Sequence, residues 1–107
     1  MNDVVLVLST APADGDTAER IARTLVDERL AACINVHGPM VSIYRWKGSV
    51  ERDSERQLVI KTTRERVPAL ESRLRDLHPY ELPEIIVLSA SGGSDQYLSW
   101  VVAEVAR

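Results

Sequence analysis

Hydrophobic and polar positions change period several times along this chain, and each change marks an element. Val4-Val5-Leu6-Val7-Leu8 is a short, continuous, β-branched run, which predicts a central strand covered on both faces. Ser9-Thr10-Ala11-Pro12 ends it. Asp16, followed three residues later by Glu19, has the form of a capping box, and Ala18, Ile21, Ala22, Leu25 and Val26 then fall on one stripe. This predicts a helix over about 17–30. Residues 31–46 read as extended, with an interruption at Gly38-Pro39, because proline offers no amide proton to a sheet ladder and is tolerated at an edge or bulge. Trp46-Lys47-Gly48-Ser49 supplies a glycine able to take positive φ, so the run around 57–63 is expected to return antiparallel as a hairpin. The intervening Glu51-Arg52-Asp53-Ser54-Glu55-Arg56 is too polar for a core and predicts a projecting hairpin arm.

Helical spacing returns with Val67, Leu70, Leu74 and Leu77, and Glu71 stands one turn before Arg75, so a second amphipathic helix is expected over about 65–77, stopping before Pro79. Residues 84–89 repeat the buried-strand pattern. After Ser91-Gly92-Gly93, Ser94 is placed to cap a last helix carrying Tyr97, Trp100, Val101 and Val105. The order β-α-β-β-α-β plus a terminal helix is the α+β, ferredoxin-like pattern, with both crossover helices on one face of a four-stranded sheet. The other face then needs a cover. Long central hairpin strands supply one if they pair with neighbouring copies, which also hides a sheet edge.

Composition narrows the classes. At 107 residues and 45% hydrophobic, the chain suits a single domain over 1–107 that buries roughly 65% of its unfolded surface. With 13 Lys+Arg against 16 Asp+Glu, no broad positive field exists to attract nucleic acid. Cys33 is the sole cysteine, which excludes an intrachain disulfide and suits a reducing compartment. The apolar run after Met1-Asn2-Asp3 lacks a cationic lead and is short for a signal peptide or membrane span, so a cytoplasmic protein without a membrane partner is expected. The sequence contains no Walker lysine loop, nucleophile elbow, HExxH helix or dinucleotide fingerprint, so an enzyme is not expected.

Several segments in order resemble the CutA divalent-cation tolerance family: Thr10-Ala11-Pro12, Leu30-Ala31-Ala32-Cys33-Ile34-Asn35, Ser42-Ile43-Tyr44-Arg45-Trp46-Lys47-Gly48, Ile60-Lys61-Thr62, His78-Pro79-Tyr80-Glu81 and Tyr97-Leu98-Ser99-Trp100. The resemblance covers nearly the whole chain. It implies a homotrimer built by hairpin strands that extend between subunits, similar in shape to the PII signalling proteins, and an association with copper and other divalent ions. Some bacterial members of the family hold copper through a cysteine at the end of the first strand and paired histidines before Pro-Tyr. Here Ser9 stands at the first position and Leu77-His78 at the second, leaving His78 as the matching ligand. A serine hydroxyl is a poor substitute for thiolate toward Cu(I).

Each candidate has two readings. His78 is a metal ligand if copies converge, or a cation on the negative end of a helix. Cys33 is either a small buried hydrophobe with an inert thiol or, with Lys61, Tyr80 and Glu84, part of an inter-subunit cleft that takes a small ligand. Those three polar residues are otherwise a structural ion pair with an orienting hydroxyl. His37 is a solvated histidine beside the Gly38-Pro39 break, and Glu51, Asp53 and Glu55 are additional oxygen ligands. Tyr44, Trp46 and Trp100 are expected to pack at trimer contacts rather than stack on a ligand. Gly92-Gly93-Ser94 is a capping loop rather than an anion cradle, because Asp95 already serves the positive helix end. Two functions follow: a non-enzymatic divalent-metal tolerance protein needing no further cofactor, or a PII-like small-ligand sensor or assembly scaffold.

Overall fold

The computed structural model describes residues 2–106. Its elements are β1 (Val4–Pro12), α1 (Thr17–Asp27), β2 (Cys33–Trp46), β3 (Ser49–Thr63), a 3-10 turn (Arg64–Arg66), α2 (Val67–Leu77), β4 (Ile86–Ser89) and α3 (Asp95–Val105). The strands form one antiparallel sheet ordered β2-β3-β1-β4. This is the ferredoxin-like order that the alternation of periods predicts.

Side chains alternate across a strand, so register decides which ones meet the helices. Val5, Val7 and Ala11 of β1 and Leu58 and Ile60 of β3 join Ile21 and Leu25 of α1 and Leu70 and Leu74 of α2 in the main core. Each fully buried aliphatic side chain contributes about 1.5–3 kcal/mol. The opposite face is capped at one end only, where α3 sets Val101 and Val105 over Val4 and Ala32.

Several expectations about elements are corrected. Helix α1 stops at Asp27, three residues early, because Arg29 takes φ 59° and closes a Schellman motif: Arg29 N donates to Val26 O and Leu30 N to Leu25 O, both at 3.0 Å. Leu30 then packs with Leu25 in the main core. At the other end, Asp16 does not cap the helix. Its carboxylate pairs with Arg20 at 2.8 Å instead. Strand β4 is shorter than 84–89 and is exposed throughout, because it is an edge strand that pairs, among the described residues, with β1 alone. Likewise β1 is inner but covered on one face, with Leu6 and Leu8 half-buried on the other. On α3, Ser94 caps as expected, accepting from Tyr97 N at 3.3 Å. Tyr97 and Trp100 sit exposed side by side on this helix.

The central hairpin is long, and the polar run 51–56 forms its projecting arm as expected. β3 pairs with β2 all the way from Ser49, and Lys47 and Gly48, both at positive φ, form its two-residue turn. The expected break at Gly38-Pro39 is a bulge: His37 faces Gln57 and Met40 faces Glu55, so β2 carries one extra residue. Gly38 has φ 114°, and a Cβ there would lie 3.1 Å from Arg56 Cα and Glu55 O. Glycine is required by both conformation and contact.

Ser9 faces the helices opposite Leu58, fully buried, and its Oγ has no hydrogen-bond partner among the described residues. A buried hydroxyl left unpaired loses its water without compensation. Ser9→Ala is therefore expected to leave stability unchanged or raise it by about 1 kcal/mol in urea unfolding; a clear destabilisation would mean that the hydroxyl has a partner.

Candidate functional site

Beyond the bulge, the β2–β3 arm and the segment 79–86 line an open cleft of about 860 Å³. Antiparallel register sets its chemistry. Glu51, Asp53 and Glu55 occupy alternate positions of β3 and so share one face. Glu51 lies opposite Tyr44 in the ladder, and the Tyr44 hydroxyl donates to the Asp53 carboxylate. Deeper in, Tyr80 Oη donates to Glu55 Oε2 at 2.8 Å. Glu55, expected on a solvated arm, is only 7% exposed. The sequence offers Glu55 as an oxygen ligand but hides its burial, because the composition of its neighbours is polar throughout; only the fold brings Tyr80 and Thr10 beside it.

Both phenols are held in their protonated forms. For Tyr44, the hydrogen bond to Asp53, followed by desolvation and the nearby carboxylate charges, pushes its pKa up to about 12. For Tyr80, burial comes first, then the hydrogen bond to Glu55 and the charges of Glu55 and Asp53, and its pKa is likewise raised.

His78 closes α2 and positions Tyr80. Its Nε2 lies 2.6 Å from Thr10 O, and its Nδ1 accepts the backbone N–H of Tyr80 at 3.2 Å. A carbonyl can only accept and an amide can only donate, so the proton sits on Nε2 and the Nδ1 lone pair is in use. The ring stacks obliquely on Tyr80, with centroids 4.6 Å apart. In this geometry His78 is neither the dipole-stabilising cation nor an open metal ligand. It is a buried tie between the α2 terminus, β1 and the cleft wall.

Within one subunit, the four residues expected along an inter-subunit cleft lie in two places. Tyr80 and Glu84 line the cleft. Cys33 and Lys61 are a cross-strand pair nearer the other end of the open face, with Lys61 Nζ 3.9 Å from Cys33 Sγ and 5.9 Å from the Tyr97 ring centroid. Lys61 pairs with neither Tyr80 nor Glu84 among the described residues, so the structural ion pair is absent there. Tyr44 and Trp46 line the cleft, whereas Trp100 stands on α3. His37 is exposed, as expected.

The donor set does not make a copper site within one subunit. Ser9 is turned into the core, His78 has both nitrogens engaged, and no three His, Cys, Asp or Glu side chains converge among the described residues.

A family model described as "CutA1 divalent ion tolerance protein" matches residues 5–104. The chain belongs to the CutA1 family. The divalent-cation tolerance protein CutA of Thermus thermophilus is 46% identical over 101 residues, 94% of this chain and 95% of that one. Human protein CutA is 49% identical over 84 residues, covering 78% of this chain but 47% of that protein. Among solved structures, CutA from Xylella fastidiosa superposes with a TM-score of 0.93 at 48% identity, covering 97% of this chain and 99% of that one. CutA1 membership and the α+β fold thus agree with the segments quoted from the sequence.

The raised phenol pKa values give a pH dependence. A folded-state value above the unfolded one, about 10 for tyrosine, contributes stability that is complete below pH ~10 and lost as pH rises through the folded value. Ultraviolet titration should show Tyr44 ionising near pH 12 and earlier in Asp53→Asn; if every tyrosine titrates at the free value, neither phenol–carboxylate bond exists in solution.

Proposed function

We propose that this chain acts in divalent-cation tolerance as a non-enzymatic homotrimer in the cytoplasm, with copper or another divalent cation as its ion. The support for assembly is uncovered apolar sheet. Ile86, Val87 and Leu88 on β4 are 49%, 38% and 45% exposed, and Val41, Ile43 and Val50 on the arm are 50%, 69% and 63% exposed. Such patches at an unpaired sheet edge are aggregation-prone in an isolated subunit. Arm-to-edge pairing between copies removes both liabilities at once, and a closed ring leaves no edge over. Tyr44 and Trp46 on the arm and Trp100 on α3 are the aromatic contacts of this reading.

Family membership supports the ion reading, and the copper donor set is incomplete within one subunit. On this reading, side chains from more than one copy hold the ion. A second reading, a PII-like small-ligand sensor or scaffold, is favoured by the cleft with its buried Glu55.

Light scattering at micromolar concentration should return three chain masses, and Trp46→Ala should shift the trimer toward smaller species on dilution. A single-chain mass for the parent protein rejects the assembly. Calorimetry with Cu(II) should give saturable heat in the trimer; the absence of heat rejects direct ion binding.

A further inference from the structure

Opposite charges stand at the two ends of the open sheet face and cannot meet within one chain. At one end, the alternation of β3 places Glu51, Asp53 and Glu55 together, with Glu84 on the facing wall of the cleft. Glu55 is the buried member. Its carboxylate accepts a hydrogen bond from Tyr80, while no lysine, arginine or histidine pairs with it among the described residues. A carboxylate withdrawn from water is ordinarily matched by a cation.

At the other end stands Lys61, on the same face of β3 and opposite Leu6 and Cys33. Its Nζ lies 3.9 Å from Cys33 Sγ and 5.9 Å from the Tyr97 ring centroid, and it has no carboxylate partner among the described residues. Elimination singles it out. Five other cations, Lys47 among them, already pair with carboxylates of their own chain, and Arg64 and Arg66 donate to Ser89 and Val105. Arg45, Arg52 and Arg56 occupy the alternate hairpin positions, which point to the opposite face. At about 3.3 Å per residue, Lys61 and Glu55 of one strand are roughly 20 Å apart. Their own chain cannot join them.

Between the two ends the face is apolar, with Leu6 beside Leu88 and Leu8 between Val59 and Ile86. A second copy laid head to tail covers this middle and brings its cationic end onto the acidic end of the first. We propose that in the assembled protein Lys61 of one copy enters the cleft of the next and neutralises its Glu55, so that the cleft is a socket for a neighbouring chain. The inference rests on the assembly reading above and names the ion pair that sets its register. Tyr80, tied down by His78, holds the receiving carboxylate in place. A head-to-tail contact repeats from copy to copy until a ring closes.

Subunit exchange between isotopically labelled and unlabelled full-length protein, followed by native mass spectrometry, tests the pair. Truncating a desolvated charge pair acts chiefly on dissociation, so Lys61→Gln and Glu55→Gln should each speed exchange about tenfold or more. The double variant should exchange no faster than the faster single one, because both remove the same contact. Circular dichroism checks that the variants fold. Should Glu55→Gln fail to fold, Lys61→Arg decides: exchange near the parent rate there, with fast exchange in Lys61→Gln, supports the pair, and fast exchange in both overturns it. A trimer in which either neutral variant exchanges at the parent rate, or in which the two effects multiply, overturns the pair and leaves the assembly standing. A parent protein with the mass of one chain overturns both.

Discussion

The β1–β3 ladder, from Val4 opposite Thr63 to Pro12 opposite Glu55, is the constraint on which the other features depend. Because side chains alternate, its register sends Val5, Val7 and Ala11 with Leu58 and Ile60 against the helices, and leaves Leu6, Leu8, Val59 and Lys61 on the other face. A slip of one residue would put Lys61 in the core and Ile60 in solvent. The same register delivers Glu55 to the end of β1, beside the segment that follows α2. Core and cleft are therefore two consequences of one pairing.

Ties between helices hold that frame. Arg73 grips Glu28 through two bonds of 2.9 Å, joining α2 to α1, and the Arg73 hydrogen bond holds the Glu28 carboxyl below its usual range. Being largely solvated, this pair orients more than it stabilises. Buried Arg66 instead donates from Nε to Val105 O at 2.7 Å, satisfying a carbonyl at the end of α3. Thr62 Oγ1 does the same for Leu30 O just after α1. Each of these polar groups is buried because it completes a backbone that would otherwise lack a partner.

The two faces of the sheet divide the labour. The helix-covered face supplies stability and contains a buried hydroxyl, that of Ser9, with no partner among the described residues. The open face keeps exposed aliphatic side chains on β4 and the arm, and a cleft in which the buried Glu55 is bonded to the Tyr80 phenol.

The sequence by itself determined the element order, both crossover helices, the bulge at Gly38-Pro39, the Ser94 cap and the CutA1 relationship, because local periodicity, backbone sterics and motif order are written in consecutive residues. It did not show that helix α1 stops at Asp27, since an arginine in the left-handed conformation is paid for by the packing of Leu30 on Leu25. Nor did it separate Cys33 and Lys61 from Tyr80 and Glu84, or find the buried Glu55 within a run of charges. Those outcomes depend on which residues a register and a bulge bring together from positions far apart in the chain, and only the tertiary structure decides that.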